Sequence, residues 1–250
     1  MRSLCALVLV LGCNHDANRL RVMSYNVNFG LAGDPAGAAA IASADPDVVF
    51  LQETNADWQA LLVAKLPYEH HRFGPPRERL AGGMGVLSRF PIVSIETLES
   101  PAGPFFAWRV VLDAPGGRIQ VLDVHLRPPM SDRGSWVVGY FSTRGDRERE
   151  LAEYARRLDP ALPSLIVGDF NEECDGRAFA VAEHRGFTDA IARFQGTTPT
   201  WGWQVGAMKL RFQLDHVMYD HRLTATAAGI VDAGRSDHKP VWADIARVTP

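Results

Sequence analysis

The sequence predicts a layered fold of the α/β or α+β class, and three observations support that prediction. Short apolar runs of strand length alternate with helix-like stretches along the chain, a pattern typical of sheets covered by helices rather than of a helix bundle. Several runs, such as 47–52 and 164–168, are apolar at both odd and even positions, so both faces of those strands should be covered. The 250 residues are 46% hydrophobic and 22% charged, as in globular chains that bury a sizeable core.

The individual elements follow from composition and from boundary residues. Runs rich in Val, Ile, Leu or Phe, bounded by polar residues, Gly or Pro, predict strands. Ala-rich or charged stretches between them predict helices, and Asn55 is a suitable N-cap for one of these. The predicted strands are 20–27, 47–52, 84–88, 105–112, 119–126, 164–168, 212–219 and 240–245, and the predicted helices are 36–44, 56–66, 144–158 and 176–185.

Composition limits the class of protein. The formal charge of -3, from 26 Lys and Arg against 29 Asp and Glu, lacks the strongly basic balance typical of many nucleic-acid-binding proteins. Three cysteines, Cys5, Cys13 and Cys174, are too few for a disulfide framework or a Cys-rich zinc site. No repeat or linker interrupts the chain, so residues 19–250 are predicted to form one catalytic domain.

The first 18 residues have the layout of an export signal and a short tether. Met1 and Arg2 precede the apolar run Leu4 to Leu11, which is far shorter than the roughly 20 residues that span a bilayer. The run ends at Gly12-Cys13, which resembles a lipoprotein cleavage site with Cys13 as the lipidated residue. We therefore expect export to the bacterial periplasm, with a lipid anchor at Cys13, or secretion; a misplaced start codon or a buried first strand are the alternatives.

Polar residues that can bind a cation or move a proton stand where predicted strands end, the usual place for active sites. Glu53 follows four apolar residues, although it could also be the first acid of a helix. An acid stands beside a histidine twice near the C-terminus, at Asp215-His216 and Asp237-His238. The candidates are Asn26, Glu53, His125, Asp169, Asn171, Asp215, Asp237 and His238.

Several carboxylates in one cleft would repel one another unless a cation lay among them. Asp, Glu and Asn supply oxygen ligands, which suit Mg²⁺ or Mn²⁺, and also Ca²⁺, better than zinc. The sequence therefore predicts a site for a hard divalent cation.

Seven short segments, taken in order, resemble the motif series of the endonuclease/exonuclease/phosphatase superfamily, which includes deoxyribonuclease I, abasic-site endonucleases, neutral sphingomyelinases and inositol polyphosphate 5-phosphatases. The segments are Ser24–Val27, Leu51–Thr54, Gly83–Arg89, Val124–Leu126, Gly168–Asn171, Leu214–Val217 and Ser236–Pro240. Each motif alone is weak, but the ordered series covers residues 24–240. The resemblance implies a four-layer sandwich of two mostly antiparallel mixed sheets packed face to face, with helices outside.

The resemblance also implies roles for the candidate residues. Glu53 would be the principal metal ligand, with Asn26 beside it and Asp237 reaching the metal or its waters. His238, oriented by Asp215, would be the general base or a phosphate stabiliser, and Asp169 competes for the role of base. Asn171 would bind phosphoryl oxygens, and His125 would stabilise or protonate the opposite side.

Two positions depart from the abasic-site endonucleases. Asn28 stands where they have Asp, which argues against a site that holds two metal ions. His125 stands where they have Tyr, and a histidine here resembles the deoxyribonuclease I, sphingomyelinase and phosphatase branches. A role in DNA repair is therefore disfavoured.

The expected activity is hydrolysis of a phosphate ester by a metal-dependent enzyme, a phosphodiesterase or nuclease acting as a monomer without an obligate protein partner. A lipid or inositol phosphate hydrolase is the alternative, and a catalytically inactive binding module is a further one. Arginines and aromatics between His125 and Asp169 could hold phosphates, bases or lipid. The alternative interpretation, which we favour, gives this segment no role in binding: it is a covered loop followed by a solvated helix whose arginines pair with Asp146, Glu148 and Glu150. Cys174 is expected to be a small buried residue.

Overall fold

The computed structural model describes residues 19–74, 80–131, 133–205 and 208–248, without the side chains of residues 80, 136, 137, 205 and 208. Residues 1–18 lie outside these ranges, so the signal segment and the lipid anchor at Cys13 stay predictions. Within the described ranges, no helix has both the length and the apolar character needed to cross a membrane.

Strands and helices alternate along the chain, as the sequence predicts. The strands are β1 (Arg19–Asn26), β2 (Val48–Gln52), β3 (His70–Phe73), β4 (Met84–Ser88), β5 (Ile92–Leu98), β6 (Ala107–Ala114), β7 (Gly117–His125), β8 (Ser164–Asp169), β9 (Thr188–Asp189), β10 (Trp201–Val205), β11 (Met208–Phe212), β12 (Asp215–Tyr219), β13 (Leu223–Ile230) and β14 (Val241–Arg247). The helices are α1 (Pro35–Ala44), α2 (Ala56–Lys65), α3 (Trp136–Ser142), α4 (Arg144–Ala155), α5 (Arg177–His184) and α6 (Ala190–Gln195).

The strands form two six-stranded mixed sheets and one two-stranded pair. The first sheet has the order β13-β14-β1-β2-β4-β3, and the second has the order β5-β6-β7-β8-β12-β9. In each sheet one pair near the middle is parallel, β1 with β2 and β7 with β8, and the other pairs are antiparallel. The two-stranded pair is β10 with β11.

Three apolar clusters separate the layers. The central cluster lies between the sheets and joins residues of both, such as Val22 and Val167. A second cluster packs α4 and α5 on the outer face of one sheet, and a third packs α1 and α2 on the outer face of the other. The predicted four-layer sandwich is therefore confirmed.

The eight predicted strand runs correspond to the eight inner strands of the two sheets, with boundaries shifted by up to three residues. The run 212–219 corresponds to β12, which begins at Asp215, and overlaps β11 only at Phe212. The strands without a predicted run are the four sheet edges, β3, β5, β9 and β13, and both strands of the separate pair, β10 and β11.

The interpretation of 127–158 as a covered loop and a solvated helix is partly wrong. Residues 136–142 form α3, and on α4 both Arg147 and Glu150 are completely buried. Arg149 does pair with Asp146 as expected, but Glu150 accepts hydrogen bonds from Ser100 Oγ at 2.6 Å and Arg127 N at 2.8 Å. Cys174, expected to be buried, is exposed, since it lies in the loop between β8 and α5.

Candidate active site

The carboxyl ends of the two parallel strand pairs meet at one edge of the sandwich. Within the pairs, Asn26 lies opposite Gln52, and His125 lies opposite Asp169. Asp169 is also opposite Asp215 on the antiparallel strand β12. Because side chains alternate along strands, Asn26, His125, Asp169 and Asp215 all point into the space between the sheets.

Glu53, immediately after β2, completes this edge from the first sheet. The Asn26 Nδ2 group donates to Glu53 Oε1 at 3.0 Å and to Asp169 Oδ2 at 3.1 Å, so one amide links carboxylates of both sheets. Glu53 Oε2 accepts from the Phe29 N–H at 3.2 Å. Burial raises the pKa of Glu53, although its hydrogen bond to Asn26 and the nearby His238 oppose the shift.

His238 lies between two buried carboxylates. Its Nδ1 atom is 3.0 Å from Asp215 Oδ2, and its Nε2 atom is 3.5 Å from Asp169 Oδ2. Burial alone would lower the pKa of His238, but the charges of Asp215 and Asp169 outweigh it and raise the pKa to about 10. Burial also raises the pKa of Asp169, although the charge of His238 opposes that shift, so the charge on each group affects the protonation of the other.

His125 approaches the same carboxylates from the opposite side. Its Nε2 atom lies 3.6 Å from Asp169 Oδ2 and 4.0 Å from Glu53 Oε1, and its ring stacks on Phe105. Burial lowers the pKa of His125 to about 4, outweighing the attraction of Asp169. At neutral pH this imidazole is therefore uncharged and acts as a hydrogen-bonding group.

Two further predicted residues border this cluster. Asp237 is fixed by Asn28 Nδ2 at 2.8 Å and by Trp201 Nε1 at 2.9 Å. Asn171 lies two residues after Asp169, beyond the end of β8, so its position is set by the following turn and not by the strand. The Asn171 N–H donates to Asp169 Oδ1 at 2.9 Å and its Nδ2 donates to the Leu126 carbonyl at 2.9 Å, leaving one amide hydrogen for a ligand.

Three residues at this edge have left-handed backbone conformations that favour glycine. The φ angles are 60° at Asn28, 61° at Glu53 and 51° at Asn171. Such conformations cost about 1 kcal/mol or more for a residue with a side chain and are concentrated at functional sites. With this conformation the Glu53 carboxylate lies beside Asn26 and His125, whose side chains point into the space between the sheets.

A polar layer lies directly beneath the site and was not found by sequence reasoning. Gln52 Nε2 donates to Asp123 Oδ1 at 2.7 Å and to Ser24 Oγ at 3.3 Å. Each of these residues precedes a site residue in the sequence by one or two positions, and all three are completely buried. Burial raises the pKa of Asp123 well above its usual value, opposed by Gln52. Sequence showed only isolated polar residues inside apolar runs.

The donor chemistry of the edge fits a hard divalent cation. Within the described ranges, Asp169, Asp215 and His238 present ligand atoms within 4.8 Å of one another. The His238 ring already lies between those two carboxylates, so a cation there would have to displace its bonds. Glu53 with the Asn26 amide offers oxygen donors at the open edge, and a cation there would offset the burial of Glu53 and Asp169. This set suits Mg²⁺ or Mn²⁺.

The amino-acid sequence matches the model of the Endonuclease/Exonuclease/phosphatase family over residues 23–238. Among curated proteins, none matches it significantly.

Solved structures share the fold. An endonuclease/exonuclease/phosphatase from Beutenbergia cavernae has a TM-score of 0.72 and 23% identity, covering 92% of this chain and 72% of that one. The human Nocturnin catalytic domain with bound sulfate has a TM-score of 0.70 and 17% identity, covering 92% and 95%. D. rerio TDP2, complexed with a single-strand DNA product, has a TM-score of 0.68 and 17% identity, covering 91% and 98%.

Proposed function

Because the chain belongs to the endonuclease/exonuclease/phosphatase family, we propose that it is a divalent-metal-dependent phosphodiesterase of the nuclease type. Members of this family are generally hydrolases of phosphoester bonds. The observation that carries the proposal is the convergence of Glu53, Asn26, Asp169 and two histidines, drawn from both sheets, at one edge. The DNA product held by the fold neighbour TDP2 supports the nuclease type.

The residues at this edge have different roles in the proposed reaction. Glu53 and Asn26 would hold the cation, which when bound supplies Lewis-acid polarisation of a phosphoryl oxygen. The Asp169 carboxylate takes the proton from the attacking water, and the charged His238 ring, fixed by Asp215, holds that carboxylate in place. Neutral His125 donates a hydrogen bond to the phosphoryl group from the far side.

The first experiment tests the metal dependence. We expect hydrolysis of bis(4-nitrophenyl) phosphate with Mg²⁺ or Mn²⁺ added, lost with a chelator and restored by excess metal. Glu53→Gln should abolish it and weaken Mn²⁺ binding at least tenfold in calorimetry, since one charged ligand is lost. Glu69→Gln is the matched control, because Glu69 is exposed and lies near the start of β2, at the opposite end of that strand from Glu53. Turnover without metal, or full activity of Glu53→Gln, would contradict the proposal.

The second experiment tests the proton-transfer pair. Asp169→Asn and His238→Gln should each lower kcat/KM about 10²- to 10⁴-fold. The effects of substituting residues that act as a unit are not additive. The kcat/KM of the double variant should therefore lie within about tenfold of that of the less active single variant. If the two losses multiply instead, the residues act independently and the assignment is wrong.

A lipid phosphodiesterase is the second candidate, and one observation favours it. Helix α3, which lies between β7 and α4 in the chain, exposes apolar side chains, with Val138 59% and Phe141 66% exposed. A sphingomyelin vesicle assay beside the nucleic-acid assay separates the candidates, because only a lipid hydrolase would release phosphocholine.

We also propose that the protein is exported, and this part of the proposal rests on the sequence of residues 1–13 alone. We expect radiolabelled palmitate to be incorporated by a bacterial host and to be lost in Cys13→Ala. Unlabelled protein in the cytoplasmic fraction would contradict export, and the enzymatic proposal would stand unaffected.

A further inference from the structure

A groove of about 520 Å³ opens beside the candidate active site, and Asp237 is the one predicted site residue in its lining. Its walls come from the β10–β11 pair and from the segment around His238, and its lining includes Asp237, Gly202, Lys209, Arg211 and Lys239. Ligand pockets are typically about 300 to 1,000 Å³, so this groove has room for a substrate group.

The groove is joined to the catalytic residues through the backbone. Trp201 forms an isolated bridge with His238, and the Gly202 N–H donates to the Asp237 carbonyl at 3.0 Å. The Lys239 N–H donates to the Thr200 carbonyl at 2.7 Å. One end of the groove is therefore the Asp237 segment, and a substrate entering the site would extend along β10 and β11.

Two cations on β11 face into this groove. Lys209 and Arg211 are two residues apart on one strand, so they share a face and lie about 7 Å apart. Both are exposed, and among the described residues no carboxylate pairs with either of them. Lys239 pairs with Asp232, which is 89% exposed, at 2.7 Å.

Gly202 on the opposing strand makes the space for these cations. It lies opposite Arg211, and a Cβ built on it would come within 3.5 Å of Lys209 Cε and 3.8 Å of Arg211 Cγ. A larger side chain at this position would fill the floor of the groove without changing its charge.

We propose that this groove binds a second phosphate group of the substrate, with Lys209 and Arg211 as its principal ligands and Lys239 as a third. The proposal rests on the phosphodiesterase function and narrows it to substrates that carry at least two phosphates. The source is either the next phosphate of a nucleic-acid strand or another phosphate of a polyphosphorylated small molecule. Arg and Lys are suited to this contact because charge-assisted bonds to phosphate are stronger than neutral ones.

The test compares substrates that differ by one phosphate. The dinucleotide TpT has one phosphate, the trinucleotide TpTpT has two, and inositol 1,4,5-trisphosphate represents the small-molecule source. For wild type we expect the ratio of kcat/KM for TpTpT to that for TpT to exceed ten. In Lys209→Gln/Arg211→Gln that ratio should fall about tenfold. The slope of log KM for TpTpT against the logarithm of the salt concentration should decrease by about 0.7 for each lost contact. If only the trisphosphate responds to the substitutions, the second phosphate belongs to a small molecule.

Two further variants separate this effect from a change in net charge. Lys65→Gln/Arg118→Gln removes the same charge at exposed positions, on the last turn of α2 and at the start of β7. The start of β7 lies about 20 Å from His125 at its other end. Gly202→Val blocks the groove at constant charge and should lower the ratio as the double variant does. Equal ratios in the groove variant and the remote control would overturn the proposal.

A binding measurement distinguishes failure of the groove from failure of the enzymatic function. Inorganic pyrophosphate, titrated without metal, should quench tryptophan fluorescence, and its Kd should rise at least fivefold in Lys209→Gln/Arg211→Gln. If no diester is cleaved but this difference appears, the phosphodiesterase function fails and the anion site stands. If cleavage occurs and the Kd equals that of the remote control, the anion site fails alone.

Discussion

Two acid–histidine pairs near the C-terminus have different positions in the fold. Asp215 and His216 are neighbours on β12, so their side chains point to opposite faces of the sheet. Asp215 reaches His238 at the candidate site, while His216 Nδ1 lies 2.8 Å from Asp189 Oδ2 and its Nε2 lies 3.1 Å from the Glu172 carbonyl. Only one of the two histidines therefore belongs to the site, and the other supports the outer layer.

The His216–Asp189 pair should make stability depend on pH. Burial lowers the pKa of His216, but Asp189 outweighs it and the pKa is raised above its usual value of about 6.5. The pair thus stabilises the fold fully below about pH 6.5, and this contribution is lost as pH rises through the raised pKa. His216→Gln should cost about 3 kcal/mol at pH 6, because Asp189 keeps a buried charge.

The measurement is urea unfolding of wild type and His216→Gln between pH 5.5 and pH 9.5. The difference in unfolding free energy should shrink towards high pH. Other titrating groups cancel in that difference unless they interact with His216, as Asp189 does through a hydrogen bond and Asp215 does through its charge. A difference that is constant or grows with pH would contradict the assignment.

At the scale of residues, sequence identified most side chains that meet at the edge, because acids, amides and histidines stand out after apolar runs. Their catalytic roles stay predictions until variants are measured. The partners of Asp237 were beyond sequence reasoning, since Asn28 and Trp201 are 209 and 36 positions away and are brought together only by the fold. Ser24, Gln52 and Asp123 were missed for the same reason.

At the scale of elements, α4 is fixed to the start of α5 by a buried ion pair. Arg147 Nε lies 3.5 Å from Glu172 Oε2, and both side chains are completely buried. Arg147 also donates to Thr143 Oγ1 at 2.6 Å and to the Tyr140 carbonyl at 2.9 Å, while Glu172 accepts from the Arg177 and Ala178 N–H groups. The pair therefore joins two helices and the loop that follows Asp169.

Breaking this pair from one side should be costly. Arg147→Met leaves Glu172 charged and buried, which we expect to lower the unfolding free energy by about 3 to 5 kcal/mol. Arg147→Met/Glu172→Gln should recover part of the loss, because the amide oxygen still accepts from the α5 N–H groups. Arg149→Met, 66% exposed on the same helix, is the matched control and should change stability by less than about 1 kcal/mol. Equal losses for Arg147→Met and Arg149→Met in urea unfolding would refute the role of the pair.

Strands could be predicted where neighbours cover them and not where the sheets end. Inner strands such as β2 and β8 have apolar side chains at both odd and even positions, because one face of each strand packs on the central cluster and the other face packs on helices. Edge strands carry more polar sequence, as in His70–Phe73, and β13 is a Thr- and Ala-rich strand with a bulge between Ala225 and Ala227. Pairing order was also beyond sequence, because periodicity fixes a face and not a partner.

At the scale of the whole molecule, the shared central cluster predicts that both sheets unfold together. Val22 in the first sheet and Val167 in the second are completely buried in that cluster. Val22→Ala and Val167→Ala should each lower the unfolding free energy by about 2 kcal/mol through lost burial and a cavity. Each should shift one transition, followed identically by tryptophan fluorescence and far-UV circular dichroism. Separate transitions in either variant would mean that residues 19–250 form more than one folding unit.

The positive φ angles at Asn28, Glu53 and Asn171 have a consequence for evolution in the laboratory. Glycine would relax each of these turns, so selection for heat resistance alone acts against the residues that build the candidate active site. In a randomised library screened only for survival at high temperature, we expect glycine to accumulate at these three positions while turnover declines. Retaining Glu53 under such a screen would require a second selection for substrate cleavage.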